Sequence, residues 1–274
     1  TIKYCSWLTG NDTSGDGSAG NPYKTITKAS TSLTGGDEVR VAKSPEPTNL
    51  TGTLSFTNNS KNVTGTDTLF TTELAVGDFV LGGDGYWWEV VTITSDTDAE
   101  LYKVYSGDTQ SGVSSQKLGV TDTGAAAASN TQVQVVSSSG TSSANLKISG
   151  GWDLSTQTQD GQTYFRQLNT TTFANRYGYG LLLSGKTFTE ISRLHFLRYD
   201  IGIYYNFSHI NKFVAPTCLS NNQHGIILSD SNSNIIILPN CNSNGKYGID
   251  LSTNCYNNIV VSPTLKSNGN SGIE

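Results

Sequence analysis

The sequence predicts an all-β chain wound as a solenoid whose coils are about 23 residues long. Three observations predict it. Short apolar runs of Ile, Val and Leu alternate with clusters of Gly, Ser, Thr and Asn, and no stretch keeps a helical period. Gly-apolar pairs recur at Gly180-Leu181, Gly202-Ile203, Gly225-Ile226, Gly248-Ile249 and Gly272-Ile273, at intervals of 22, 23, 23 and 24 residues. Unrelated residue types keep the same interval: Pro216, Pro239 and Pro263; Asn211, Asn234 and Asn258; Asn221, Asn244 and Asn268. Agreement among independent positions makes the spacing a structural pitch.

Residues 1–50 form the first element. Within them stand Gly10-Asn11-Asp12, Gly15-Asp16-Gly17-Ser18, Asn21-Pro22-Tyr23-Lys24-Thr25-Ile26 and Gly36-Asp37-Glu38-Val39-Arg40-Val41. The order of these segments resembles the N-terminal cap and first coil of pectate-lyase-like and phage-tailspike-like right-handed β-helix proteins. The resemblance implies a short amphipathic helix from Pro22 to Ala29 with Ile26 and Ala29 facing inward, then a strand over Gly36 to Val41. A cap is physically needed, because an open solenoid end exposes core and strand edges. Asp12, Ser14 and Asp16 also resemble half of a calcium loop, but Tyr23 occupies the place of its bidentate Glu. A plain Asx-rich turn is the reading preferred there, and no cofactor is expected otherwise.

Residues 51–122 form the second element. Their strands alternate with tight turns at short spacing, which predicts a small antiparallel β module inserted after the first coil strand. Val63 to Phe70, Val76 to Val80 and Ile93 to Thr97 resemble β modules of phage structural proteins. TDTGAAAASNTQ (121–132) is the expected seam. The run Tyr86-Trp87-Trp88 cannot hide all three rings on one face. It is expected in the module core and a contact surface, with carbohydrate stacking as the alternative.

Residues 123–274 form the coils. Unit 225–247 reads GIILS, NIIIL and then a polar turn. Stacking such units pairs each strand with its counterpart one coil away, which is a right-handed parallel β-helix. Alternation turns Ile226, Leu228, Ile249 and Leu251 inward, and stacked Asn residues would form amide ladders. Cys218 and Cys241 share one register, with Leu265 next in line. Cys5, Cys218, Cys241 and Cys255 show no metal spacing and are expected as thiols. The sequence reaches Gly272-Ile273 as a further coil opens, so the helix is expected to continue beyond 274.

The position two residues after each repeat glycine points outward: Leu182, Tyr204, Ile227, Asp250 and Glu274. Asp250 and Glu274 then lie one coil apart on one face, a separation that suits a pair of glycosidase carboxylates, and Tyr204 would stack a sugar ring. Two solvated surface carboxylates are the plainer reading. Asp200, Glu190, Arg193, Arg198 and His195 make a second charged neighbourhood, while His209 and His224 follow turns without an evident partner.

A charged fraction of 14% with net charge −5 gives no basic surface for nucleic acid. No apolar run approaches a membrane span, and TIKYCSWLTG has neither a basic start nor a hydrophobic core, so no membrane insertion is expected. The resemblance implies a bacteriophage virion protein, a tailspike or fibre-like homotrimer that meets other virion proteins and cell-surface polysaccharide. Such families cleave polysaccharide with carboxylate pairs, or with a basic residue and calcium, and depolymerase activity is left open here. The alternative is a secreted or cell-surface polysaccharide lyase or hydrolase.

Overall fold

Glycine at a fixed place in every coil has a direct steric cause. A Cβ on Gly225 would lie 2.5 Å from the Gly248 carbonyl oxygen of the next coil and 2.8 Å from Cys241 Cβ. At Gly180, Gly202 and Gly248 the next coil's carbonyl would be met at 2.6, 2.6 and 2.8 Å. Coils that stack at strand spacing leave no room there for a side chain. The computed structural model describes residues 1–123, 134–168 and 178–274. The seam expected at 121–132 lies largely outside them.

Two compact units divide the chain: Thr1–Ser44 together with Val120–Gln167 and the C-terminal coils, and Pro45–Gly119. The first is a right-handed parallel β-helix of three sheets. Sheet I joins Ile2–Cys5, Glu38–Ala42, Leu146–Asp153, Thr189–Ser192, Lys212–Val214, Ile235–Ile237 and Ile259–Val261 in that order. Sheet II joins Thr121–Asp122, Thr163–Arg166, Leu194–Leu197 and Thr217–Leu219, and Asn240 and Thr264 extend it through single bridges. Sheet III joins Gln134–Val135, Tyr179–Ser184, Ile201–Asn206, His224–Ser229 and Ile249–Leu251. Along the chain each coil runs from sheet I to sheet II to sheet III.

Register places like on like. Ile148, Ile191, Phe213, Ile236 and Val260 form one inward column of sheet I. Leu181, Ile203, Ile226 and Ile249 form one in sheet III, beside Leu183, Tyr205, Leu228 and Leu251. Phe165, Phe196 and Cys218 line sheet II. These columns meet in one core cluster that also holds Cys241. Cys5, Cys218 and Cys241 are buried free thiols, and Cys255 is a half-buried one. Burial, then the Cys241 side chain, raises the Cys218 thiol well above its ordinary value, which keeps it protonated.

Two asparagine ladders run through the corners. Asn211 Nδ2 donates to Asn234 Oδ1 at 3.1 Å, and Asn234 Nδ2 donates to Asn258 Oδ1 at 3.1 Å. Asn221, Asn244 and Asn268 repeat the arrangement at 2.9 and 3.1 Å. Each amide also accepts a backbone N–H of the preceding coil, from Thr189 and Tyr199 at the start of the ladders and from the preceding asparagine thereafter, so these bends keep their hydrogen bonds.

Single left-handed residues turn the remaining corners. Arg193, Ala215, Leu238 and Ser262 link sheet I to sheet II; Arg198, Ser220, Ser243 and Ser267 turn from sheet II toward sheet III. Phe207, Asp230 and Asn254 leave sheet III, and Phe188, Ile210, Ser233 and Asn257 enter sheet I. All have φ between 47° and 64°. That conformation favours Gly or Asn, so Ile210 and Leu238 hold it only because the coil imposes it.

The cap helix is Ile26–Ala29, with Ile26 and Ala29 buried. Thr25 caps it by accepting the Lys28 N–H at 3.1 Å. The strand expected over Gly36 to Val41 is Glu38–Ala42, with Val39 and Val41 buried.

The unit Pro45–Gly119 holds an antiparallel sheet in the order Thr48–Asn49, Gln116–Lys117, Phe79–Leu81, Trp87–Ser95, Asp98–Leu101, Asn62–Thr66, Thr53–Phe56 and Gln110–Val113. Its own core contains Leu54, Phe56, Phe70, Val90, Leu101, Tyr105 and Trp88. Trp88 is 2% exposed, and its Nε1 donates to Asp84 Oδ1 at 3.1 Å. Trp88 thus lies in the module core, as the preferred reading of the run has it, and offers no face to the alternative of sugar stacking. Tyr86 and Trp87 are half-buried.

Candidate functional site

Strand alternation and register together build an outward face on sheet III. Leu182, Tyr204, Ile227 and Asp250 pair in adjacent strands. Ile249 bridges Ile273, and Glu274 N–H donates to the Ile249 carbonyl at 3.1 Å, which sets Glu274 beside Asp250 one coil on. The structure therefore brings Asp250 and Glu274 together, with Tyr204 two coils from Asp250 in the same column.

Tyr179, His224 and Tyr247 join them from the position just before each repeat glycine, a column in which Tyr179 and His224 pair in register with the intervening Ile201. The Tyr179 and Tyr204 rings lie 4.9 Å apart at 57°. His224 is 6% exposed; its Nδ1 lies 3.4 Å from Asp250 Oδ2 without a hydrogen bond, and its ring is 5.4 Å from that of Tyr247. Tyr247 shares a hydrogen bond with Glu274, the main cause of its raised phenol pKa. The sequence did carry the signal for these residues, since an aromatic or His before a repeat glycine recurs three times in the coils.

Electrostatics set the protonation states. Burial, followed by the neighbouring Glu274 charge, raises the Asp250 carboxyl, and Lys246 partly opposes this. Burial and then the Lys246 charge lower the His224 imidazole to about 4, so it is neutral at pH 7 and its contact with Asp250 is not an ion pair there. Asp200 accepts from Asn222 Nδ2 at 3.0 Å and Gln223 Nε2 at 2.9 Å, and Gln223 Oε1 accepts from Lys246 Nζ at 2.8 Å. The face thus offers tyrosine rings to the apolar side of a sugar and carboxylates to its hydroxyls. A carboxyl whose pKa is raised sits beside a second carboxylate.

The other candidates separate. Glu190 pairs with Lys212 at 3.3 Å on sheet I, while Asp200 stands before sheet III. His195 is buried, stacks on Tyr164 at 4.4 Å and shares a hydrogen bond with Gln162 Oε1 at 2.9 Å; burial lowers its pKa to about 3. Arg193 donates to the Gln159 and Gly161 carbonyls, and Arg198 is buried. His209 Nδ1 accepts the Asn232 N–H at 2.9 Å, a corner contact. Asp12 receives the Lys24 and Thr25 N–H groups at 2.8 and 3.0 Å, Asp16 Oδ1 accepts the Ser18 N–H at 2.8 Å, and the Ser14 carbonyl accepts from Asn21 Nδ2 at 3.1 Å. One oxygen of each carboxylate in the calcium-like segment thus accepts from the backbone, and Asp12 Oδ2 also accepts the Thr25 hydroxyl at 2.7 Å. Among the described residues, no three His, Cys, Asp or Glu side chains form a metal cluster.

A family model described as "Right handed beta helix region" matches residues 127–274. No curated protein matches by sequence. Pectate lyase Pel9A is similar in structure at 11% identity and a TM-score of 0.56, over 96% of this chain and 46% of that one. The lacto-N-biosidase of Eubacterium ramulus gives 9% and 0.44 over 96% and 40%. The tailspike protein gp49 of Pseudomonas phage LKA1 gives 11% and 0.29 over 88% and 43%. The chain therefore spans less than half the length of each of these proteins. Likeness at such identity bears on the fold alone, and the two lower scores add nothing to it.

Proposed function

The chain belongs to the family of right-handed β-helix regions, and from that premise we propose that it is a bacteriophage tailspike- or fibre-like protein holding a host surface polysaccharide on the outward face of sheet III. One observation carries the polysaccharide part: Tyr179 and Tyr204 share a face with Asp250 and Glu274, in strands that place them coil by coil. Rings for stacking and carboxylates for hydroxyls, repeated along a ladder, suit an extended chain of sugars. The appendage part is supported by the sequence resemblance of the Pro45–Gly119 unit to phage modules. A homotrimer attached to other virion proteins belongs to the same proposal. A shared fold is analogy only, and the reaction of a neighbour does not transfer.

Binding of purified cell-surface polysaccharide, wild type against Tyr204→Ala, tests the face. A loss of about tenfold is expected, the equivalent of ~1.4 kcal/mol of lost stacking. Unchanged affinity would remove Tyr204 from the surface. Antibody labelling of purified particles, with sedimentation of the free protein, tests the appendage and the trimer.

A second reading is favoured by the raised Asp250 carboxyl beside Glu274. Here Asp250 protonates a glycosidic oxygen and Glu274 acts as base or nucleophile, making the protein a polysaccharide hydrolase. Reducing-end release should vanish in both Asp250→Asn and Glu274→Gln. Full activity in either variant rejects this reading and leaves binding untouched.

A further inference from the structure

The charges on this face are unbalanced in a way that bears on which glycan it admits. In the outward column, the column before the glycines and the residues leading into it, the described residues carry three carboxylates, Asp200, Asp250 and Glu274. Against them stands the Lys246 ammonium, which is engaged with Gln223 Oε1 at 2.8 Å. His224 adds no positive charge at pH 7. It is more than nine-tenths buried, and its Nδ1 is aimed at Asp250 without a hydrogen-bond partner, so an unmet polar atom sits against the carboxylates. Tyr179, Tyr204 and Tyr247 supply π-faces beside the same groups, and such faces attract ammonium ions.

A uronate sugar would bring a fourth carboxylate to this face, where like charges placed together cost heavily. An amino sugar would instead relieve the crowding of Asp250 against Glu274. Resting on the reading that this face binds polysaccharide, we propose that it selects glycans by charge, holding an amino-bearing chain more tightly than a neutral one and rejecting a polyuronate.

The test titrates the full chain calorimetrically at pH 6.5 with hexamers of glucosamine, N-acetylglucosamine and galacturonic acid. The glucosamine hexamer should bind at least about tenfold more tightly than the galacturonate hexamer at low salt. The gap should contract in about 1 M salt, where the Debye length falls to about 3 Å. The chain's net charge of −5 repels any polyanion, so the decisive control is local. In the double variant Asp250→Asn, Glu274→Gln the gap should largely close, and in Lys246→Gln it should widen. Galacturonate binding as tight as glucosamine, or a gap indifferent to both variants, overturns the selectivity while leaving polysaccharide binding in place. Absence of binding by all three hexamers rejects the polysaccharide reading itself, and the selectivity with it.

Discussion

Replacing Asn234 by alanine measures what the asparagine ladder contributes. The side chain is fully buried and makes four hydrogen bonds. Its Oδ1 accepts from the Asn211 backbone N–H at 3.0 Å and from Asn211 Nδ2 at 3.1 Å. Its Nδ2 donates to the Ser208 carbonyl at 2.9 Å and to Asn258 Oδ1 at 3.1 Å. Two of the partners keep another contact: Asn211 Nδ2 still reaches the Lys186 carbonyl at 3.0 Å, and Asn258 Oδ1 still receives the Asn234 N–H at 2.9 Å. The Asn211 N–H and the Ser208 carbonyl lose the contact that Asn234 gave them. A buried orphan costs about 1–3 kcal/mol, so the expected loss is about 4 kcal/mol, or roughly 8–16 °C in Tm for a chain of this size. The half-exposed Asn268 is the internal comparison. Water can reach it, and Asn268→Ala should cost about 1 kcal/mol. Urea unfolding followed by circular dichroism gives both values, and hydrogen exchange at the Asn211 amide reads the ladder locally. A loss below about 1 kcal/mol at Asn234, with the Asn211 amide still protected, would refute the reasoning.

Three further outcomes are expected. Gly225→Ala should destabilise by about 3 kcal/mol in the same urea assay, because its Cβ meets the Gly248 carbonyl of the next coil; a neutral effect would show that the coils can part. His195 and His224 have folded pKa values of about 3 and about 4 against an ordinary 6.5, so the unfolded chain binds their protons first. The stability they contribute is complete above pH 6.5 and falls as pH drops toward 4, by about 1.4 kcal/mol per pH unit for each; Asp250, with its raised carboxyl, acts in the opposite sense. His195→Gln should remove about half of the histidine slope between pH 6 and 4.5, and an unaltered slope would clear His195 of the effect. Replacing Pro45–Gly119 by a short Gly-Ser bridge should leave the parallel β signature intact, since Ser44 Oγ and Thr121 Oγ1 lie 2.8 Å apart at the junction. Global unfolding would show that this unit helps to hold the coils.

What was legible in the sequence was what every coil needs alike. The backbone approach at Gly202, Gly225 and Gly248 excludes any other residue, and the ladder bends at Asn211 and Asn234 need an amide, so identity repeats with the pitch. The left-handed corners were illegible, because Ala215, Leu238 and Ser262 share a conformation without sharing chemistry. The face was read in part. Tyr204, Asp250 and Glu274 followed from strand alternation. His224 and Tyr247 carried a weaker signal, an aromatic or His before a repeat glycine that recurs with Tyr179, but Ile201 interrupts the column. The run Tyr86-Trp87-Trp88 was legible as partly core, but sequence proximity did not say which ring turns to the module core; it is Trp88.

The turn from sheet I to sheet II differs widely in length from coil to coil. In four successive coils one or two residues make it: Arg193, Ala215-Pro216, Leu238-Pro239 and Ser262-Pro263. One coil earlier, a hairpin with strands Leu146–Asp153 and Thr158–Gln159 occupies the same place, and in the first coil the whole of Pro45–Gly119 does. Sheet stacking proceeds on both sides in every case. This corner therefore accepts connections of very different length while the sheets keep stacking, and a short peptide inserted at Ala215 should leave the β-helix folded.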